Sequence, residues 1–462
     1  MAKRIAILGA GITGLACAWK LLQLDRHAQV DVYEREARPG GLAKTIEWNG
    51  YRLDLGPHRF HTEIPEIRVF VRQFCESQMV WVKRQSRMFL NGRLIPYPIK
   101  PLPTMKALGF ARSVRFGCSA LGTLLPNKSA ARSYEEYVCR YYGRELYEAV
   151  FEPLARKVWG LHPDALAAET ARVRLRGDNV WQALLDGLFS RQQTYLSEFL
   201  YPEGGIGTIA QRFADQIAAA GGRIHLEQPV ERLNLSEKWL QTNSGEYGIS
   251  HYDYLVSTLP VSALSELVAP SLPEPVLDAA HELRYRSIVL LYLLYENAQP
   301  IDDTWLYFPE ADVPFSRIYV PDNFKHQREP GERTCYCAEF TCEAGDETWQ
   351  ASAQELADQA HAVLQRAGLV ERPPLDVHTE PIRYGYPIYH VGYEQSLQTV
   401  LDCFQQTGNL VTAGRQGLFR HNNIDQAMQM GLMAAETIEG GEGAIQDWYR
   451  NASRFNDYRI VD

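Results

Sequence analysis

The 462-residue sequence predicts an α/β fold in which one parallel-sheet domain is interrupted by a helical insertion and by an antiparallel β-sheet insertion. Three observations predict it. Residues 5–8, 9–14 and 15–24 read in turn as an apolar strand, a glycine loop and a helix. Glycine-rich turns at strand ends recur near residues 204 and 414, far from the first loop. Between these pieces, 134–147 and 178–189 carry helical periodicity, whereas 286–295, 305–308 and 333–342 alternate as strands.

The first loop, Gly9-Ala10-Gly11-Ile12-Thr13-Gly14, follows the strand Ile5-Ala6-Ile7-Leu8. At such a junction Gly9 allows the tight turn, Gly11 lets backbone approach a pyrophosphate, and Gly14 lets helix and strand pack closely. The helix start, with Thr13, offers free N–H groups and the positive dipole end to phosphates. A second strand at 30–33 ends in Glu34, placed to accept hydrogen bonds from an adenosine ribose. A dinucleotide site follows from the loop and the strand together; a plain βαβ unit with a surface Glu is the competing reading.

Composition bounds the rest. At 52.5 kDa the chain is long enough for two or three domains. A net charge of −9 argues against general nucleic-acid binding and leaves room for a local basic pocket. No apolar run reaches bilayer-spanning length; the longest, 287–295, is strand-sized. The first strand begins at once with no secretory pattern before it, and the eight cysteines are scattered, so a cytoplasmic protein is expected. Cys335 and Cys337 share one strand face and lack a fourth ligand nearby, so they read as core thiols and no metal is expected. Pro96, Pro98, Pro101 and Pro103 mark an ordered connection.

After Glu34 the chain reads Arg35-Glu36-Ala37-Arg38-Pro39-Gly40-Gly41-Leu42. This second glycine pair resembles the extended fingerprint of FAD proteins in the amine oxidase superfamily. The resemblance implies a Rossmann-like FAD-binding domain of the GR2 type, with Arg35, Gly41 and Leu42 beside the cofactor. It places Val230 at adenine and Gly414 at the end of the flavin site. No cysteine follows Gly414, which predicts non-covalent FAD. The FAD-binding domain would then comprise 1–61, 196–268 and 403–462, with a helical insertion at 62–195 and a β-sheet substrate-side domain at 269–402.

Further segments, in order, resemble UDP-galactopyranose mutase. Gly56-Pro57-His58-Arg59-Phe60-His61 resembles its loop past the flavin ring, and Lys157-Val158-Trp159-Gly160 its pocket motif with a Trp. Pro314-Phe315-Ser316-Arg317 resembles a segment whose Arg lies near flavin and phosphates, and Gly414-Arg415 with Asn422-Asn423-Ile424 its C-terminal flavin and diphosphate region. In that family reduced flavin N5 attacks the anomeric carbon of a nucleotide sugar, and the sugar recloses with a different ring size. The resemblance implies Arg317 and Arg415 as phosphate clamps, Arg172 or Arg174 as a third, Trp159 shaping the pocket, and His61 in the flavin loop. It assigns Asn423 and Ile424 to the cofactor and, by residue count, His421 to an anionic small-molecule substrate; Tyr384, Tyr386 and Tyr389 could share that substrate role or be sheet-face packing. His421 and Asn423 depart from the Tyr and Asp of the mutases, so UDP-galactose itself does not follow. Each Arg could equally be a structural ion pair. The alternative function is a net oxidation like that of the amine oxidase and protoporphyrinogen oxidase branch, and a non-catalytic flavin protein is the third. A homodimer is compatible with the sequence.

Overall fold

A computed structural model describes residues 2–75, 79–97, 130–175, 198–296, 301–324 and 333–458, together with 109, 115, 119, 123 and 460. The expected helix over 178–189 and Pro98, Pro101 and Pro103 lie outside the described residues. The chain divides into two compact units: 1–79 with 202–284 and 392–460, and 80–201 with 285–391.

The first unit holds a five-stranded sheet in the order Leu410–Thr412, Tyr254–Ser257, Arg4–Leu8, Gln29–Tyr33 and Arg223–His225. Every neighbouring pair is parallel, and its strands come from three distant stretches of chain. Ile5, Ile7, Val30, Val32, Leu255 and Val256 are buried, the near-continuous apolar pattern of a parallel sheet covered on both faces. Helix Ile12–Leu24 packs on helix Ile424–Arg450, where a Cβ at Gly431 would lie 2.3 Å from the Thr13 carbonyl oxygen. That glycine sets how closely the two helices approach.

The second unit is built on a seven-stranded sheet, ordered Asp376–Pro387, Tyr285–Glu296, Arg333–Cys342, Arg317–Tyr319, Trp305–Tyr307, Ser86–Leu90 and Arg93–Pro96. It is antiparallel except where Trp305–Tyr307 runs parallel to Ser86–Leu90. Alternation puts Val289, Leu291, Leu293, Tyr336, Ala338 and Phe340 in one core cluster with Leu356, Ala360 and Leu364 of helix Ala353–Arg366. Helices Glu347–Gln350 and Ala353–Arg366 stay separate, because Ser352 and Glu355 form a capping box that starts the second one.

The insertion expected to be helical over 62–195 is mixed. Helices Pro65–Cys75, Tyr134–Tyr142, Glu152–Trp159 and Ala168–Arg172 are present, but 79–96 forms three strands. The reason is a two-residue hairpin at Asn91-Gly92, both at positive φ (50° and 72°), a turn that Asn-Gly adopts at little cost.

Candidate functional site

Two constellations carry the site residues, one in each unit. In the first unit, Gly9 turns at φ 97° and donates its N–H to the Tyr33 carbonyl at 2.8 Å. A Cβ at Gly14 would fall 2.1 Å from the Gly9 oxygen, so this position admits only glycine. Gly11 differs: a Cβ there would meet nothing within 4 Å. Protein packing does not require its bareness, whereas a pyrophosphate lying on the loop would. This open backbone cradle at the start of Ile12–Leu24 is the observation that fits a bound dinucleotide.

The second glycine pair closes on the first loop. Gly40 donates its N–H to the Ala10 carbonyl at 2.8 Å, and a Cβ at Gly41 would stand 3.2 Å from the Gly11 Cα. Leu42 lies half-buried in the short helical turn Gly41–Ala43. Glu34 is buried and accepts the Ala10 N–H at 2.8 Å and the Glu36 N–H at 3.0 Å, so its carboxylate braces the loop. Gln228 donates to the Glu34 carbonyl at 2.8 Å, which brings Val230 to the same end of the sheet. From the C-terminal piece, Gly414 sits at φ 81° with its would-be Cβ 2.7 Å from the Thr13 hydroxyl. Arg35 stays exposed, 3.8 Å from Glu36. The glycines of the 204–207 turn have a packing reason instead: Cβ atoms at Gly205 and Gly207 would strike Thr45 at 2.5 and 2.6 Å.

The flavin-loop residues lie in this unit too. Gly56 has φ 104° and accepts the His58 N–H at 2.7 Å, with Pro57 between them. Burial, reinforced by the Arg59 charge, lowers the His61 pKa, and its buried Nε2 has no hydrogen-bond partner among the described residues. Arg415 Nη2 donates to the Asn422 carbonyl at 2.6 Å, and His421 is buried. Asn423 caps helix Ile424–Arg450 in a reciprocal box with Gln426, which occupies the side chain assigned to the cofactor. Asp425, one residue beyond Ile424, is buried, and desolvation raises its pKa to about 6.

In the second unit, guanidinium groups and aromatic rings alternate. Arg174 lies 5.1 Å from the Trp159 ring and 5.3 Å from that of Tyr386, and those two rings are 6.0 Å apart. Arg317 lies 5.9 Å from the Tyr307 ring, which meets Tyr97 at 4.6 Å with the two planes tilted by 50°. Arg84 follows, 6.0 Å from the Tyr97 ring and 5.3 Å from that of Trp305. The three cations are not equivalent. Arg317 gives Nε and Nη2 to Glu339 at 3.0 and 2.7 Å. Burial opposes its charge, but the Glu339 carboxylate overrides this and holds its pKa well above the ordinary value. Arg84 is 9% exposed, and its buried Nε and Nη2 have no hydrogen-bond partner among the described residues. The buried Nε of Arg174 also has none.

Arg172 is exposed and donates to the Ala131 carbonyl at 3.2 Å, apart from the Arg174 stack. Tyr389 is 1% exposed and its carbonyl accepts the Ala167 N–H at 2.7 Å, so Tyr386 is the tyrosine facing Arg174. Sequence reasoning missed Arg84, Tyr97, Trp305, Tyr307 and Glu339. The Asn91-Gly92 hairpin signal could have placed Arg84 and Tyr97 in a sheet; nothing local marks Glu339. Among the described residues no His, Cys, Asp or Glu group could hold a metal, and no helix is long and apolar enough to cross a membrane.

Comparisons with known proteins agree with this geometry. Protoporphyrinogen oxidase 2 of Arabidopsis thaliana is 22% identical over 94% of this chain and 94% of its own length. A probable UDP-galactopyranose mutase of Klebsiella pneumoniae is 28% identical over 46% of this chain and 56% of its own. The crystal structure of a reduced UDP-galactopyranose mutase superposes over all of both chains with a TM-score of 0.85 at 21% identity, a likeness of fold. The family model for flavin containing amine oxidoreductases matches residues 12–439. The chain therefore belongs to the flavin containing amine oxidoreductase family and is an FAD-dependent enzyme.

Proposed function

We propose that this flavoenzyme acts on an anionic, phosphate- or nucleotide-linked sugar presented at flavin N5, isomerising it without net oxidation. The observation that carries the reading is the wall of the second unit, where the buried Nε of Arg174 and the buried Nε and Nη2 of Arg84 have no acceptor among the described residues and lie against Trp159, Tyr386, Tyr97 and Trp305. A buried cation without a partner is costly, and a ligand phosphate would relieve that cost with charge-assisted bonds. Aromatic faces on either side suit sugar and base rings.

FAD would be held by Gly9, Gly11, Thr13 and Gly14 at its pyrophosphate, by Glu34 at the ribose and by Gly41, Val230 and Gly414 along its length. When bound and reduced, it supplies an electron-rich N5. The chain's own residues bind and orient. Arg174 and Arg84 fix the anion and Trp159 excludes water from the sugar, while in the first unit burial lowers the His61 pKa and so favours its neutral form. Arg317 is half of a neutral pair with Glu339, so in this reading it positions more than it neutralises.

One observation favours the oxidase alternative: two expected diphosphate contacts, Asn423 and Arg317, are already engaged as a helix cap and an ion pair. The deciding experiment incubates holoenzyme with nucleotide sugars, once anaerobically with dithionite and once oxidised in air. Ring-isomer product from the reduced enzyme alone, without acceptor consumption, supports the proposal. Turnover of a porphyrinogen or amine by the oxidised enzyme, with peroxide release and no action on nucleotide sugars, overturns it.

A further inference from the structure

Helix Glu152–Trp159 ends beside the wall, and one of its side chains is anchored in an unusual way. The Lys157 ammonium donates to three backbone carbonyls, those of Phe308 at 2.6 Å, Glu310 at 2.7 Å and Phe315 at 3.2 Å. An ammonium has three N–H groups, and all three are used. The acceptors belong to the turn 308–315, which leaves the strand Trp305–Tyr307 and leads into the strand Arg317–Tyr319.

We propose that Lys157 is the positioning residue of the wall, tying the helix end that carries Trp159 to the turn that carries Tyr307 and Arg317. The proposal rests on reading that wall as the substrate-binding surface. Lys157 stands two residues before Trp159, and its third acceptor, Phe315, stands two before Arg317. Its own carbonyl accepts from the Thr341 hydroxyl at 2.7 Å and from Arg286 Nη2 at 3.4 Å, and the Val158 carbonyl accepts from Arg286 Nε at 3.2 Å. The helix end is thus fixed to the sheet through its backbone and to the turn through one side chain. Gly160 leaves room for this, since a Cβ there would lie 2.6 Å from Arg286 Nη1.

The charges around the ammonium are few. Glu310 and Asp312 belong to the turn itself; Asp312 pairs with Arg366 at 2.9 Å, and Glu310 accepts the Asn91 N–H at 2.6 Å. Arg286 stands on the adjoining strand, 4.0 Å from Glu343, and Arg156 with Glu152 form a pair on the helix. Burial lowers the Lys157 pKa to about 8, against the raising effect of Asp312 and then Glu310. Above that pH a neutral amine keeps two N–H groups for three carbonyls and loses the charge that strengthens them. The wall then loses its register.

The test compares full-length holoenzyme with Lys157→Met and with Asp312→Asn, an exposed change within the 308–315 turn. Two quantities are followed on both sides of about pH 8: hydrogen exchange of peptides spanning 305–319, corrected for the intrinsic rate, and kcat/KM with a phosphate-linked sugar. In the parent, protection and kcat/KM should fall together as pH rises through about 8. Lys157→Met should lose both inflections and about 10- to 100-fold in kcat/KM at neutral pH. Asp312→Asn should move both inflections to lower pH, because a supporting negative charge is gone. Unchanged inflections in Asp312→Asn overturn the proposal even if Lys157→Met fails to fold. A protection inflection with a flat kcat/KM also overturns it, leaving Lys157 a structural bond only. Absence of any sugar turnover would instead count against the proposed function, and the exchange arm would still decide whether the lock exists.

Discussion

The glycine cradle of the first unit and the arginine–aromatic wall of the second answer opposite physical demands. Around 9–14 and 40–41 the chain removes side chains so that backbone N–H groups and a helix end can face a ligand. Along Trp159, Tyr386, Arg174, Tyr307, Arg317, Tyr97 and Arg84 it adds the largest and most charged side chains it has and buries much of them. In the cradle a residue matters by the atoms it lacks. In the wall it matters by whether its charge finds a partner, and there two cations of the same type behave differently: Arg317 is paired, whereas the buried Nε and Nη2 of Arg84 have no hydrogen-bond partner among the described residues.

The largest effect should come from breaking the paired cation. Glu339→Ala leaves the Arg317 guanidinium buried without its carboxylate and should cost about 3–5 kcal/mol of stability in denaturant unfolding. A shift in the midpoint too small to resolve would mean the charge is solvated. Next comes a contrast within the cradle. Gly14→Ala sets a Cβ against the Gly9 oxygen and should destabilise the protein by about 3 kcal/mol, with loss of FAD. Gly11→Ala meets no protein atom, so unfolding of the apoprotein should match the parent while bound FAD, read by absorbance, falls. If both variants unfold alike, the open space over Gly11 is not the cofactor's. Arg84→Met should act with the sign opposite to Glu339→Ala. Removing an unpartnered buried cation should stabilise the ligand-free protein by about 1–3 kcal/mol while weakening its affinity for a phosphate-bearing ligand. Equal affinity in parent and variant would take Arg84 out of the site.

The same contrast explains what could be read in advance. Gly9, Gly11, Gly14, Gly40 and Gly41 announce themselves because the demand for a bare Cα is local and falls on one residue type. Three of the five strands of the parallel sheet follow from short stretches at 5–8, 30–33 and 410–412, while Arg223–His225 and Tyr254–Ser257 were not read from the sequence. Glu339 is different. It meets Arg317 because the strands Arg317–Tyr319 and Arg333–Cys342 pair in the register that sets those two residues opposite one another. A slip of one residue would send Glu339 to the other face, and nothing in either strand alone fixes that register. Arg84 and Tyr97 were hidden for a simpler reason: helix was expected across 62–195, although Asn91-Gly92 marks a hairpin between them. Asn423 shows the converse failure. Its position suggested a phosphate contact, and the capping demand of the helix that starts at Ile424 claims the same side chain.

The smallest effect tests whether a charge in the cradle unit obeys the rule found in the wall. Asp425 is 5% exposed, and its Oδ1 has no hydrogen-bond partner among the described residues. Desolvation outweighs the bond from Thr62 and raises its pKa from 3.8 to about 6. The folded state therefore holds this proton more tightly than the unfolded chain does. The stability linked to it is fully present below the unfolded value and is lost as pH rises through about 6. Asparagine keeps part of the burial cost but never ionises. Asp425→Asn should accordingly match the parent near pH 4 and gain about 1–2 kcal/mol over it at pH 7, out of about 3 kcal/mol that the full shift represents. Denaturant midpoints of the holoenzyme at the two pH values measure the difference. A gain that is the same at both would show that packing, not ionisation, decides the matter at this helix start.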